Sequence, residues 1–302
     1  MTAPHDAGPP LLTRTRAELH DRLAARRAAG ERVGFVPTMG ALHDGHASLF
    51  RVARERVGEG PVVASIFVNP LQFGPGEDLD RYPRTLDADL KVCEREGVDI
   101  VFAPEVEEVY PGGAATPASV TVDPGELASV LEGRFRPGHF RGVLTVVAKL
   151  FGLVRPDLAV FGEKDYQQLV LIRRMVSDLC LGVEVVGAET QREPDGLALS
   201  SRNAYLDDEE RREAVVLHRT LLAARRGARH GLDAAVRSAR AELRASTKVD
   251  LDYLEITDPD LGPLPDPVPP GTEARVLIAA RVGSTRLIDN LPLVLGSPEG
   301  SG

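Results

Sequence analysis

Short apolar runs alternate along the chain with longer segments whose apolar positions recur about every three to four residues. Residues 33–36 and 61–68 read as buried strands, the second rich in β-branched side chains. The first leads into a loop, Pro37-Thr38-Met39-Gly40, and then a helix from about His46 to Val57. Helical periodicity returns over 86–96, 141–154 and 165–179, and strand-like runs occupy 99–102, 158–161 and 183–186. Strands separated by helices predict βαβ units. The fold class that follows is α/β, a parallel sheet with helices on both faces and ligand-binding loops where the strands end.

The pattern changes near residue 190. Asp207 and Asp208 lead into a helix over 209–227 with Arg225 and Arg226 near its end, charges that suit the helix dipole. A second helix covers 232–246. Strand-like 251–256, a loop carrying Pro259, Pro263, Pro265, Pro267, Pro269 and Pro270, and strand-like 274–280 complete the chain. The expected division is an α/β domain over 1–190 and a smaller α+β domain over 191–302. The first ten residues and the last several are expected to be loose.

Composition narrows the function classes. A 302-residue chain, 43% hydrophobic and 27% charged, is an ordinary globular protein of about two domains. Its net charge of −9 disfavours nonspecific binding to nucleic acid or an anionic membrane, yet leaves room for a local basic pocket. Cys93 and Cys180 lack metal spacing and read as free, buried thiols in a reducing compartment. No secretory leader is evident at the N-terminus, and the most apolar stretch, 142–154, is too short to span a bilayer and contains Lys149. The expectation is a cytoplasmic protein with no nucleic-acid or membrane partner.

Four constellations carry chemistry. In Pro37-Thr-Met-Gly-Ala-Leu-His43-Asp-Gly45-His46, a strand runs into a helix N-terminus, whose free N–H groups suit a phosphate. Two histidines three apart could face that phosphate, stand in solvent, or form half of a metal site for which no further ligand is apparent. In Ser65-Ile-Phe-Val-Asn69-Pro-Leu-Gln72-Phe73, amides at a strand end suit hydroxyl and carboxylate groups, although Asn-Pro is equally a turn signal. Arg136-Pro-Gly-His139-Phe-Arg141-Gly and Phe161-Gly162-Glu-Lys164-Asp165-Tyr-Gln-Gln168 form the third set, with Lys164 a point charge for phosphate or a solvated loop lysine. In Leu199-Ser200-Ser201-Arg202-Asn203, hydroxyls and a guanidinium make an oxyanion loop or a serine-rich linker. Neither a P-loop nor a dinucleotide fingerprint is present.

In order and spacing these stretches resemble the pantothenate synthetase family, over nearly the whole chain. The family lies within the nucleotidyltransferase superfamily of HIGH-like and KMSKS-like motifs. Here His43-Asp-Gly-His46 stands at the first motif and Leu199-Ser-Ser-Arg202 near the second. Leu199 replaces the usual methionine, and Gln191 stands where a small apolar residue is common.

The resemblance implies a Rossmann-like nucleotide- and pantoate-binding domain with a smaller C-terminal lid. It implies ATP-dependent condensation of (R)-pantoate with β-alanine, through pantoyl adenylate, in coenzyme A biosynthesis. His46, Lys164 and Arg202 are then the catalytic residues. ATP falls to Met39, Gly40, Ala41, Leu42, His43, Asp44, Gly45 and His46, to Gly162, Glu163, Lys164 and Asp165, and to Gln191, Leu199, Ser200, Ser201 and Arg202. Pantoate falls to Gln72, Gln168, Asn69 and His139, and β-alanine to Gln72. Mg²⁺ is expected on the ATP phosphates, with no metal ligands of the protein's own, and the assembly is expected to be a homodimer. Two other readings are an adenylyltransferase acting on a phosphorylated acceptor and a non-catalytic nucleotide-binding regulator. The first would want basic groups where Asn69 and Gln72 stand, and the second sits poorly with an intact His46, Lys164 and Arg202.

Overall fold

The computed structural model describes residues 8–74, 76–77, 79–113, 120–246 and 248–296. Most of the termini expected to be loose lie outside those residues. Two compact units divide the chain: Met1–Glu163 with Leu171–Glu189, and Lys164–Val170 with Thr190–Gly302.

The first unit is built on six parallel strands: β1 (Leu11–Thr13), β2 (Gly34–Thr38), β3 (Val62–Ile66), β4 (Ile100–Phe102), β5 (Leu158–Gly162) and β6 (Glu184–Ala188). Their order is β1-β4-β3-β2-β5-β6. Its helices are α1 (Arg16–Ala28), α2 (Asp44–Val57), α3 (Leu86–Arg95), the single turns α4 (Val106–Val109) and α5 (Glu132–Phe135), and α6 (His139–Val154). α7 (Tyr166–Asp178) runs through the boundary between the units.

Alternation along the strands assigns the faces. Val36, Val62, Ala64, Val101, Leu158 and Val160 pack with Phe50 and Ala53 of α2 and Cys93 of α3. The intervening Phe35 and Phe161 point to the other face, where both meet Phe151 of α6 edge-on, with ring centroids 6.4 Å apart in each case. Burying each such side chain stabilises the fold by about 1.5–3 kcal/mol.

The second unit packs α8 (Asp208–Ala228) and α9 (Leu232–Leu243) with an antiparallel sheet of β7 (Val249–Thr257), β8 (Thr272–Val282) and β9 (Thr285–Leu295). Leu217 and Leu221 of α8 share its core with Val276 and Ile278 of β8. Asp207 caps α8 by accepting from the backbone N–H groups of Glu209 and Glu210, each at 2.8 Å.

The strands β1 and β9 and the helix α1 were not anticipated, nor were the single turns α4 and α5. Two further expectations are corrected. β2 continues through Pro37 and Thr38, where a loop was expected, because Thr38 stays paired with Ile66 of β3. Cys180 is exposed rather than buried, because it stands in the turn beyond the end of α7 and not on a packed helix face. Cys93 is buried, and burial pushes its thiol pKa up to about 12. Among the described residues no helix is long and apolar enough to cross a membrane.

Candidate active site

β2 is the point where strand order reverses, with β3, β4 and β1 on one side and β5 and β6 on the other. Open α/β sheets bind ligands at the carboxyl end of such a position. The loop from Met39 to His43 leaves β2 there and opens α2. Its path needs left-handed backbone at Gly40 (φ 83°) and Ala41 (φ 51°). Asp89 of α3, only 2% exposed, holds it in place. Its carboxylate accepts from Leu42 N–H at 2.8 Å, from Ala41 N–H at 3.2 Å and from the Thr85 hydroxyl at 3.3 Å. A Cβ on Gly40 would be strained at this φ and would stand 2.9 Å from Asp89 Oδ2, pushing on the carboxylate that holds the loop.

His43 is the N-cap of α2. Its Nδ1 accepts from Gly45 N–H at 3.1 Å, and His46 Nδ1 accepts from His43 N–H at 3.3 Å. The two rings lie 4.2 Å apart, both half-buried. This is a reciprocal cap of the capping-box kind, with imidazoles in place of hydroxyl and carboxylate. Because both Nδ1 atoms accept, a neutral ring at either position carries its proton on Nε2. The pair therefore offers N–H donors at a helix N-terminus, which is the chemistry of an anion site.

The turn after β3 brings Gln72 beside this loop. Pro70–Gln72 forms one 3-10 turn capped by Asn69, which is the turn reading of this stretch. Gln72 Nε2 donates to Met39 Sδ at 2.9 Å. Its main-chain carbonyl accepts from His139 Nδ1 at 2.8 Å, with the His139 proton placed there because Arg136 donates to Nε2 at 3.0 Å. Arg136 is in turn paired with Glu77 at 2.5 Å. Burial opposes ionisation of Glu77, but the Arg136 guanidinium outweighs it and holds the carboxyl below its usual range. Met39, Gln72 and His139 are thus brought together.

A turn over Glu163–Asp165 leads into α7, and Lys164 and Gln168, both of the second unit, are half-buried. Asn290 Nδ2 of β9 donates to the Lys164 carbonyl at 2.9 Å. Arg275 fixes Asn290 through its Oδ1 at 2.8 Å and lies 3.8 Å over the Tyr166 ring. The 191–199 segment is a hairpin, closed by Leu199 N–H donating to the Gln191 carbonyl at 2.9 Å. Arg192 anchors it with a bidentate pair to Asp289, at 2.7 and 2.8 Å. Ser200, Ser201 and Arg202 follow directly, half-buried, with Ser200 Oγ capping the 3-10 turn Ser201–Tyr205.

Asp289 and Asn290, 4% and 2% exposed, were missed by the sequence reading, as was Asp89. Two adjacent polar residues inside the apolar stretch from Leu287 to Leu295 were the available signal. Among the described residues no group of three His, Cys, Asp or Glu is placed to hold a metal ion.

Residues 11–292 match the family model described as pantoate-beta-alanine ligase. The chain is 71% identical to the pantothenate synthetase of a Nocardioides species, over 95% of this chain and 86% of that one. It superposes on the pantothenate synthetase of Thermus thermophilus with a TM-score of 0.83 and 53% identity, covering 93% of this chain and 98% of the other. A Francisella tularensis pantoate-beta-alanine ligase, complexed with beta-gamma ATP and beta-alanine, matches with a TM-score of 0.74 and 33% identity, over 93% and 97%. The chain belongs to the pantoate-beta-alanine ligase family.

Proposed function

We propose that this chain condenses (R)-pantoate with β-alanine at the expense of ATP, releasing pantothenate, AMP and diphosphate. The observation that carries this reading is the His43–His46 cap at the carboxyl end of β2, in a chain of this family. A free carboxylate is a poor acylating agent. Its oxygen attacks the α-phosphorus, diphosphate leaves, and pantoyl adenylate forms. The β-alanine nitrogen then attacks the acyl carbon, loses a proton, and AMP leaves.

The protein's part is positioning and charge stabilisation. His43 and His46 donate Nε2–H to phosphate oxygens, His46 acting on the charge that develops during transfer. Lys164 and Arg202, with Ser200 and Ser201, hold the triphosphate. The Met39–Gly45 loop and Gly162–Asp165 bind the nucleotide, as do Gln191 and Leu199. Gln72 and Gln168 bind pantoate, His139 keeps the Gln72 main chain in place, and Gln72 also serves β-alanine. Mg²⁺ enters on the ATP phosphates, a common mode for this ion. The family resemblance supports a homodimer working in the cytoplasm.

Rapid quench with enzyme in excess, labelled ATP, pantoate and no β-alanine tests the order. The expected result is a stoichiometric burst of diphosphate with enzyme-held pantoyl adenylate. Diphosphate appearing only after β-alanine is added would refute the two-step reading.

A further inference from the structure

Behind Gln72 lies a polar chain sealed from solvent. Asn69 is 0% exposed and Tyr110, which follows α4, is 2% exposed. The Tyr110 hydroxyl donates to Asn69 Oδ1 at 2.8 Å, and Leu71 N–H donates to the same oxygen at 3.3 Å. Asn69 Nδ2 donates to the Gly142 carbonyl and to Gln72 Oε1, both at 3.1 Å. All four hydrogen-bonding positions of this amide are therefore filled from within the protein. Asn69, expected among the pantoate contacts, is thereby occupied with its own neighbours.

The network is directional. Turning the Asn69 amide over would set its NH₂ against Leu71 N–H and its oxygen against two other oxygens. Its orientation in turn settles that of Gln72, with Oε1 towards Asn69 and Nε2 towards Met39 Sδ. Tyr110 stands at the closed end. Its ring is held by Phe67, with centroids 6.2 Å apart, and by the Lys149 ammonium at 5.3 Å. Burial raises the phenol's pKa above its ordinary value, so the hydroxyl keeps its proton.

We infer that Tyr110 is a positioning residue for the reaction: by filling the second lone pair of Asn69 Oδ1, its hydroxyl holds the Asn69 amide, and through it the Gln72 carboxamide, in place for pantoate. The inference rests on the assignment of Gln72 to pantoate made above. Tyr110 itself reaches no substrate.

Tyr110→Phe removes one oxygen and keeps the ring. We expect the KM for pantoate to rise about 3–10-fold, the range of a single lost hydrogen bond, with the KM for ATP unchanged. In a Gln72→Ala background the same substitution should have no further effect on pantoate, because the group it orients is gone. A wild-type pantoate KM in Tyr110→Phe overturns the inference. So does an equal loss in the Gln72→Ala background, or a parallel rise in both KM values with a lowered Tm, which would mark a merely structural role. If Gln72→Ala alone leaves pantoate KM unchanged, the assignment of Gln72 fails and the inference falls with it, by a separate reading. Asn69→Asp provides a second variant should Tyr110→Phe not fold. It sets an oxygen against Gln72 Oε1, and its pantoate defect should likewise vanish in the Gln72→Ala background; persistence there overturns the inference.

Discussion

Replacing Gly142 with alanine tests how tightly the turn that carries Gln72 is seated. Gly142 lies in the first turns of α6, against the 3-10 turn that carries Gln72. A Cβ built on it would meet the Leu71 carbonyl oxygen at 2.1 Å, its carbon at 2.4 Å and Gln72 N at 2.7 Å. Both sides are main chain, so no rotamer change relieves the overlap. Carbon contacts settle at about 3.5–4.0 Å, so the turn must recede by more than about 1 Å. Overpacking of this kind costs about 1–3 kcal/mol. Glycine-to-alanine in a helix returns about 1 kcal/mol. The net destabilisation is therefore at most about 2 kcal/mol, or roughly 4–8 °C in Tm for a unit of this size. Function should suffer more, since a misplacement of about 1 Å costs on the order of 100-fold in rate. Steady-state assay should show kcat/KM for pantoate falling by about that factor while ATP affinity, measured by calorimetry, holds. Wild-type kcat/KM for pantoate together with an unchanged Tm would refute the argument.

Lys164→Ala should keep the fold, because Asn290 grips only the backbone carbonyl, which alanine retains. It should lose diphosphate release by at least about 10–100-fold, the worth of a charge-assisted contact of about 1.5–3 kcal/mol; release at the wild-type rate removes Lys164 from the phosphate site. His218 supplies a pH test: burial, then the Arg192 charge, lower its pKa against the opposing pull of Asp289 at 3.9 Å. The folded state then binds fewer protons than the unfolded state below about pH 6.5, so stability present at pH 7 is lost as pH falls through the depressed value. Melting curves from about pH 7 to 5 should show a slope that His218→Gln reduces, and an identical slope in the variant would reject the assignment.

What the sequence made legible was whatever is local. The junction from β2 into α2, the His43–His46 spacing and the Asn69–Gln72 turn each act within a few residues of themselves, so reading along the chain finds them, although the strand runs two residues further than the pattern suggests. Asp89 reads as one acidic residue on an amphipathic helix, yet the N–H groups it binds lie at Ala41 and Leu42, far upstream. Asp289 holds an arginine from a distant hairpin, and the polar pair it forms with Asn290, together with Pro292, hid the strand pattern of β9. Pro292 is tolerated because β9 is an edge strand, paired among the described residues with β8 alone. α1 was overlooked because its buried residues are just Leu19 and Leu23, although Thr15 and Glu18 spell its cap. Tyr110 carried no signal, since its role lies wholly in where one hydroxyl lands.

The histidine cap of α2 has a consequence for anyone selecting or redesigning this protein. Ser or Thr at the cap with Glu three residues on is the common reciprocal arrangement for starting a helix. A search scored on thermal stability alone would accept that exchange at His43 and His46. The helix would begin as well as before, and the chain would survive every folding screen. Both imidazole donors would be gone, and a carboxylate would stand where the proposed function places a phosphate. Selection on stability alone therefore does not protect the two side chains on which the proposed phosphate contact rests, and only a screen that includes activity keeps them.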